Sequence, residues 1–274
     1  MKAPVFDYVR ARSVDDAVRL LSAANDPKAL AGSQSLGPML NLRVAGPGCL
    51  VDLRHIDELR AITASSETVT YGAATTHAMF EDGKVPDATR GLLAKVAADI
   101  AYRAVRNRGT LGGSLCHADP AADWVSTFAL LPATAIIAGP QGRREVSMQQ
   151  FFTGLFSTAV GTDELLVGVR VTRLSAAARW GYWKFCRKPG EFAEAIGAVL
   201  IDPALNVDRA VIGATHDQPF IIENALNALA LTTVFTLVNR AAIDAQVVAA
   251  GLGNDPYERQ IHCVALERAI KAMT

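Results

Sequence analysis

The stretch TLGGSLCHADPAAD, residues 110–123, constrains the fold of this chain more than any other feature. It places Gly112 and Gly113 side by side, and a histidine, two aspartates and a proline follow closely. Glycine adopts backbone angles that other residues avoid, and it lets a ligand approach the bare main chain. The stretch therefore predicts either a binding loop or a tight turn into a helix that begins near Ala121.

A similar loop lies earlier in the chain, at AGSQSLGPMLNLR, residues 31–43. A buried strand runs into Gly32, and the hydroxyl groups of Ser33 and Ser35 follow. Successive free N–H groups in such a turn form a concave site that suits phosphate, although a polar strand-to-helix turn explains this loop taken alone. Neither loop is GxGxxG or GxxxxGK[ST], which disfavours Rossmann and P-loop sites. Together, two such loops could clamp the diphosphate of a dinucleotide.

Composition excludes several classes of protein. The 274 residues suffice for one large domain or two modest ones, and Lys plus Arg equals Asp plus Glu at 27 each, so nothing indicates a nucleic-acid-binding surface. No apolar run approaches the roughly 20 residues that span a bilayer, and the N-terminal residues lack the apolar segment of a secretory signal, so we expect a cytoplasmic protein. The four cysteines form no CxxC pair, which disfavours a metal site in this chain.

The first part of the chain mixes strands and helices. Ser13 is a good N-cap for a short amphipathic helix. The patterns predict further elements: strands at 28–32, 49–53, 68–76 and 164–172, a helix at 91–101, and a hairpin on either side of PQG, residues 140–142.

A second block begins near Arg179. The segments RWGYWKFC, AIGAVLID and RAVIGAT read as three successive strands, and the chain becomes helical from Asn224 onward, with Pro256 near a helix start. Strands in a row followed by helices indicate an antiparallel sheet with helices on one face. We place the boundary between the two blocks at residues 174–179.

These segments resemble a known family. AGSQSLGPMLNLR is similar to the loop AGG-(T/Q/H)-S-L-x-P of the FAD-binding medium subunit of the molybdenum hydroxylases, the family of xanthine dehydrogenase and carbon monoxide dehydrogenase. IAYRAVRNRGTLGGSLCHADPAADW, residues 100–124, resembles its second loop, R-N-x-G-T-(I/L)-G-G-(N/S)-(L/I)-x-x-(A/G)-D-P-x-x-D. YWKFCRKPGEFA, residues 182–193, is similar to K-x-x-R-x-G-D-(F/Y/W)-A. Two positions depart from the family pattern: Ser33 replaces a usual glycine, and Glu191 a usual aspartate.

The resemblance implies an α+β fold in two domains. Residues 1–176 would form a two-part, PCMH/VAO-like FAD-binding domain, with a small N-terminal α/β lobe over about 1–55 and a larger lobe over about 56–176. Residues 177–274 would form a C-terminal domain with an antiparallel three-stranded sheet and a helical bundle.

The resemblance also implies a set of FAD-binding residues. The first loop would line one side of the diphosphate with Ala31, Gly32, Ser33, Gln34, Ser35 and Leu36. The second loop would line the other side with Thr110, Gly112, Gly113 and Ser114. Five further residues would complete the site: Asp123 on a sugar hydroxyl, Leu166 on the adenine end or ribityl chain, Ile100 on the adenine, Lys184 reaching the flavin, and Phe192 near the isoalloxazine. No residue of this chain is expected to be catalytic or to bind metal.

The function implied is electron transfer. A family member of this kind would accept electrons from two [2Fe–2S] clusters on a small partner subunit. It would pass them to NAD, oxygen, a quinone or another acceptor, while a large molybdopterin-binding subunit hydroxylates a substrate such as an N-heteroaromatic compound. The assembly would be a dimer of heterotrimers. Two alternatives stay open: a self-contained flavin oxidase or dehydrogenase of VAO-like fold, and a non-catalytic nucleotide-binding subunit.

Overall fold

Three main sheets follow one another along the chain in the computed structural model, which describes residues 2–231 and 238–273. Each sheet is built from its own stretch of sequence, and helices cover the sheets or connect their strands. Within the described residues, no helix is long and apolar enough to cross a membrane.

The N-terminal lobe is a small α/β unit. Its elements are β1 (Asp7–Arg10), α1 (Val14–Ala23), β2 (Pro27–Leu30), α2 (Leu36–Asn41) and β3 (Cys49–Asp52). The strands are parallel in the order β1-β3-β2. Helix α1 begins as predicted, because the Ser13 hydroxyl accepts a hydrogen bond from the Asp16 N–H at 3.1 Å. The first glycine loop leaves the carboxyl end of β2, the edge of a parallel sheet where ligands commonly bind.

The larger lobe carries a five-stranded antiparallel sheet in the order β4-β5-β10-β6-β7. The hairpin predicted around PQG is confirmed as β6 and β7. The elements are α3 (Asp57–Arg60), β4 (Ile62–Ala64), β5 (Thr68–Gly72), α4 (His77–Glu81), α5 (Leu92–Asp99), α6 (Arg103–Arg106), α7 (Leu111–His117), α8 (Asp123–Leu130), β6 (Ala133–Gly139), β7 (Gly142–Ser147), α9 (Met148–Phe151), β8 (Phe152–Gly154), β9 (Ser157–Thr158) and β10 (Leu165–Thr172).

Strand β5 is shorter than the predicted strand 68–76, because the residues after Gly72 leave the sheet. They pair instead with the second glycine stretch. The main-chain N–H of Gly112 donates to the carbonyl of Ala73 at 2.8 Å, and that of Leu111 donates to Thr75 at 2.8 Å. Residues 73–75 therefore pack directly beneath the start of the second glycine stretch.

The second glycine stretch is a short helix rather than an open loop, which corrects the expectation of a loop or a turn. Thr110 is the N-cap of α7, and its hydroxyl accepts from the Gly113 N–H at 3.1 Å. Gly112 is buried in the first turn, where an added Cβ would lie 2.5 Å from the Cβ of Ala73. The following helix, α8, begins at Asp123 rather than near Ala121.

The C-terminal part is an antiparallel sheet in the order β11-β12-β13-β14. The three predicted strands are confirmed, and a fourth short strand, β14, extends the expected three-stranded sheet. Pro256 is the first residue of α12, and Asp255 caps that helix. The elements are β11 (Arg179–Phe185), β12 (Ala195–Asp202), β13 (Val207–Gly213), β14 (Phe220–Glu223), α10 (Ala225–Ala228), α11 (Arg240–Ala249) and α12 (Pro256–Lys271).

Helix α12 packs closely on β11 and β12 because glycines face it. A Cβ added at Gly181 would overlap the carbonyl oxygen of Ala269, and one added at Gly197 would lie 2.5 Å from the Cα of Leu266. Because the nearest atoms in both contacts belong to the main chain, no flexible side chain can move aside to make room for a methyl group. The spacing between helix and sheet is therefore set by the missing side chains.

We predict that Gly181→Ala lowers the free energy of unfolding by about 1–3 kcal/mol, because the added methyl group forces α12 away from the sheet. Urea denaturation followed by circular dichroism measures this change. Gly46→Ala is the control, since its Cβ would meet nothing closer than Pro4 Cγ at 3.8 Å. Equal stability of the two variants would contradict the packing described.

Candidate functional site

The two glycine segments lie against each other. A Cβ added at Gly32 would overlap the carbonyl oxygen of Arg108 and lie 2.9 Å from the Cα of Gly109. A Cβ added at Gly113 would lie 4.0 Å from the Cβ of Ala31. The N-terminal lobe and the larger lobe therefore meet at the residues predicted to bind a diphosphate.

The first loop has free main-chain donors. The N–H groups of Gly32, Ser33, Gln34 and Ser35 have no acceptor among the described residues. Ser33 lies in the left-handed region with φ of +61°, so it adopts the conformation that a glycine would take there. The Gln34 side-chain amide donates to the Gly32 carbonyl at 2.9 Å and braces the turn. Successive free donors of this kind form an anion-binding concavity.

The second loop is different, because the N–H groups of the first turn of α7 are engaged within the protein. Those of Leu111 and Gly112 donate to the segment after β5, and those of Gly113 and Ser114 donate to Thr110. This side presents the exposed Gly113 and the partly buried Ser114, whereas Thr110 is buried and its hydroxyl caps the helix. This side of the junction between the two glycine segments, called the cleft below, can therefore contact a ligand through the Ser114 hydroxyl and close main-chain approach.

A buried ion pair joins the larger lobe to the C-terminal sheet. The Lys184 ammonium donates to Asp123 Oδ2 at 2.9 Å, and each side chain is 6% exposed. The Tyr182 hydroxyl donates to the other carboxylate oxygen at 2.7 Å. Burial raises the pKa of the Asp123 carboxyl, and the neighbouring ammonium opposes that shift. Since a carboxylate oxygen accepts more than one hydrogen bond, Asp123 retains capacity for a ligand hydroxyl.

The same ion pair reaches the segment that contains Ile100. The Lys184 ammonium also donates to the Asp99 carbonyl at 3.1 Å, next to Ile100 in the chain. Close by, the ring of Tyr102 packs on Gly190, where an added Cβ would lie 2.7 Å from Tyr102 Cε1. Gly190 belongs to the turn that carries the exposed Phe192, whose side chain is 65% exposed. Four of the predicted residues thus lie on or beside one junction between the larger lobe and the C-terminal sheet: Ile100, Asp123, Lys184 and Phe192.

Two predicted leucines pack against hydrophobic clusters. Leu166 is only 2% exposed in β10, within the main hydrophobic core. Leu36 is the first residue of α2 and is partly buried against the small cluster of Leu30, Leu40 and Leu50. Their roles toward a ligand stay predictions.

His77 has a structural role that its sequence context does not indicate. Its Nδ1 accepts a hydrogen bond from the Trp124 indole N–H at 2.9 Å, across 47 residues of sequence. Trp124 is a donor only, so the His77 proton resides on Nε2. Burial, with a smaller contribution from Arg106, lowers the pKa of His77 to about 4. The ring packs under Gly109, and no spacing in the sequence signals this contact.

We predict that Ser33→Gly raises the free energy of unfolding by about 1 kcal/mol, because it removes the Cβ from a left-handed residue. Ser35→Gly is the matched control. Its φ of −105° suits any residue, so glycine there should lower stability by about 0.5–1 kcal/mol through the entropy of the unfolded chain. Chemical denaturation of both variants measures the change in the free energy of unfolding. A change in the same direction in both variants would contradict the left-handed conformation of Ser33.

We also predict that His77 makes stability depend on pH. Between its unfolded value near 6.5 and its folded value of about 4, the unfolded chain binds the proton and the folded chain does not. The free energy of unfolding therefore falls as pH drops through this window, by about 3 kcal/mol in total. Urea denaturation at pH 7 and pH 4.5 should show a smaller loss for His77→Gln than for the unsubstituted protein. Parallel losses would contradict a buried neutral imidazole.

Comparison with known proteins identifies the family of this chain. Residues 4–173 match the family described as the FAD binding domain in molybdopterin dehydrogenase. The chain is 33% identical over 280 residues to the 6-hydroxypseudooxynicotine dehydrogenase complex subunit alpha of Paenarthrobacter nicotinovorans, covering 98% of this chain and 95% of that protein. It is 39% identical over 221 residues to the carbon monoxide dehydrogenase medium chain of Hydrogenophaga pseudoflava, covering 80% and 77% of the two chains.

Solved structures share the whole architecture. A chain of the Hydrogenophaga pseudoflava carbon monoxide dehydrogenase that lacks the Mo-pyranopterin moiety superimposes with a TM-score of 0.88 at 33% identity, covering 99% of this chain and 98% of that chain. A chain of quinoline 2-oxidoreductase from Pseudomonas putida 86 gives 0.83 at 30% identity, with the same coverage. The family model covers more than half of this chain, and the fold agrees along its whole length. The chain therefore belongs to the family of FAD-binding domains of molybdopterin dehydrogenases.

Proposed function

We propose that this chain is the FAD-carrying electron-transfer subunit of a multi-subunit molybdenum hydroxylase. In this role it accepts electrons from the [2Fe–2S] clusters of a small partner subunit and passes them to an external acceptor. Substrate hydroxylation takes place on a large molybdopterin-binding subunit. The chain contributes the binding and orientation of the flavin rather than a catalytic residue of its own.

The observation that carries this proposal is the contact between the two glycine segments. Four successive N–H groups of the first loop have no acceptor in the part of the chain that the structure describes, and the exposed Gly113 lies across the contact from Ala31. A diphosphate needs donors on one side and room for close approach on the other, and both are offered by residues 31–36 and 110–114, which include no lysine or arginine. The residues therefore fit the diphosphate of FAD.

The remaining residues would position the two ends of the cofactor. Ile100 would pack on the adenine, and Asp123 would accept a hydrogen bond from a sugar hydroxyl while Tyr182 and Lys184 hold its carboxylate in place. Leu166, Lys184 and Phe192 would contact the ribityl chain or the flavin. Bound FAD supplies the ability to take up electrons singly and release them in pairs.

The names of several relatives support the proposed partners. These relatives are named as subunits or medium chains, including those of carbon monoxide, caffeine and nicotine-converting enzymes. Several act on nitrogen heterocycles, which supports an N-heteroaromatic substrate for the complex. We further propose a cytoplasmic dimer of heterotrimers. We place the domain boundary after residue 176, which is supported by sheets that end at Thr172 and restart at Arg179.

The direct test is a titration of the full chain, freed of bound nucleotide, with FAD, followed by quenching of flavin fluorescence. We expect one FAD per chain and competition by ADP. Co-expression with neighbouring subunits should yield a complex that carries molybdenum and iron. A chain that stays colourless would favour a non-catalytic role, and a flavin reduced by small alcohols in the isolated chain would favour a self-contained oxidase.

We predict that Gly113→Val abolishes retention of FAD, because the side chain occupies the space beside Ala31 that the diphosphate is proposed to take. An added Cβ would also lie 2.8 Å from Thr110 Oγ1, so circular dichroism of the variant is recorded to check that it is folded. Gly112 is unsuitable for this test, since a side chain there would collide with Ala73 in the core. Gly46→Val is the control for adding a branched side chain elsewhere in the proposed FAD-binding domain, since an added Cβ there would meet nothing closer than Pro4 Cγ at 3.8 Å. Stoichiometric FAD in Gly113→Val, measured by absorbance after gel filtration, would contradict the placement of the second loop.

A further inference from the structure

Arg106 lies just before the second glycine segment, and its guanidinium joins separate parts of the site. Nε and Nη2 donate to the two carboxylate oxygens of Glu81 on α4, at 2.7 and 2.9 Å. Nη1 donates to the carbonyls of Ile100 and Ala101, at 2.8 and 2.9 Å. The side chain is 11% exposed. Four of its five N–H donors are thus engaged in one fixed arrangement.

The turn that Arg106 holds is an unusual one. Ala101 lies in the left-handed region with φ of +43°, which an alanine adopts only when its surroundings require it. The carbonyls of Asp99, Ile100 and Ala101 accept from cationic side chains and, among the described residues, from no main-chain N–H. Side chains rather than a helix or sheet therefore determine the position of this turn.

Two cations hold this turn from opposite ends. Lys184, from the C-terminal sheet, donates to Asp99 and pairs with Asp123. Arg106 holds the other end, and the carbonyl of Arg108, two residues further on, packs against Gly32. The guanidinium consequently fixes the distance between the junction around Lys184 and the contact of the two glycine segments.

We propose that Arg106 is a positioning residue of the FAD site. By anchoring the Ile100–Ala101 turn to Glu81, it keeps the two ends of the cleft at the spacing that the intact dinucleotide requires. This inference rests on the proposed function, since it assumes that FAD occupies the cleft. The guanidinium itself does not contact the cofactor in this scheme.

Lysine cannot replace arginine here. An ammonium is a point charge on a flexible stem, whereas the planar fork reaches a carboxylate and two carbonyls at once. Charge alone should therefore not preserve the turn. Arg106→Lys separates the effect of geometry from the effect of charge.

Arg103 provides a matched control on the same short helix. It pairs with the same Glu81 at 2.7 Å and also with Asp82, but it contacts no carbonyl of the turn. Arg103→Met removes a comparable ion pair and leaves the Ile100–Ala101 turn in place.

The experiment is FAD titration of the full chain and of Arg106→Met, Arg106→Lys and Arg103→Met, at a temperature where circular dichroism shows each protein folded. We expect the dissociation constant for FAD to rise at least tenfold in both Arg106 variants and to stay within twofold in Arg103→Met. The visible circular dichroism of bound flavin should change in the Arg106 variants only. A residue that merely stabilises the fold would lower the melting temperature without altering either readout.

Unchanged FAD affinity and unchanged flavin circular dichroism in Arg106→Lys would overturn the inference. This variant decides the test even if Arg106→Met fails to fold. Equal weakening in Arg103→Met would overturn it too, because the effect would then belong to the loss of a Glu81 ion pair. Failure of the unsubstituted chain to bind FAD is a distinct result. It would overturn the proposed function, and this inference with it.

Discussion

The main chain of the first glycine loop packs directly on the main chain before the second, and the position of the whole candidate site depends on this contact. No side chain lies between Gly32 and the carbonyl of Arg108. The two segments come from different lobes, one from the carboxyl end of a parallel strand and one from the start of a helix. Their contact therefore fixes how the lobes meet, and any larger residue at position 32 would separate them.

The glycine pattern predicted where the site lies but not what each glycine does. Both Gly112 and Gly113 indicate close approach of something to the main chain. At Gly112 that neighbour is Ala73 within the protein, whereas Gly113 is exposed beside Ala31. The sequence contains no signal that separates the two cases, because the pairing of residues 73–77 with the second segment is a tertiary contact. For the same reason a loop was predicted where a helix forms.

The ion pair of Lys184 and Asp123 shows a similar limit. The resemblance assigned each residue to the cofactor separately, and their partnership across 61 residues was not foreseen. One signal was available for Tyr182, since residues two apart on a strand share a face and Tyr182 and Lys184 both lie on β11. Burying the pair is costly unless its hydrogen-bonding groups find partners, and the Tyr182 hydroxyl and the Asp99 carbonyl each supply one.

The two sides of the cleft differ in how many of their main-chain donors are free to bind a ligand. The main-chain donors of the first turn of α7 already have acceptors, so the second segment is organised before a ligand arrives. The donors of the first loop have no acceptor among the described residues, and the loop contains Ser33 in a left-handed conformation. New main-chain hydrogen bonds to a phosphate would therefore form at the first loop. Affinity for a dinucleotide then depends on how rigid the rest of the site is before binding, because ordering mobile groups on binding costs free energy. Arg106 and Lys184 hold the turn of residues 99–101 in place before a ligand binds.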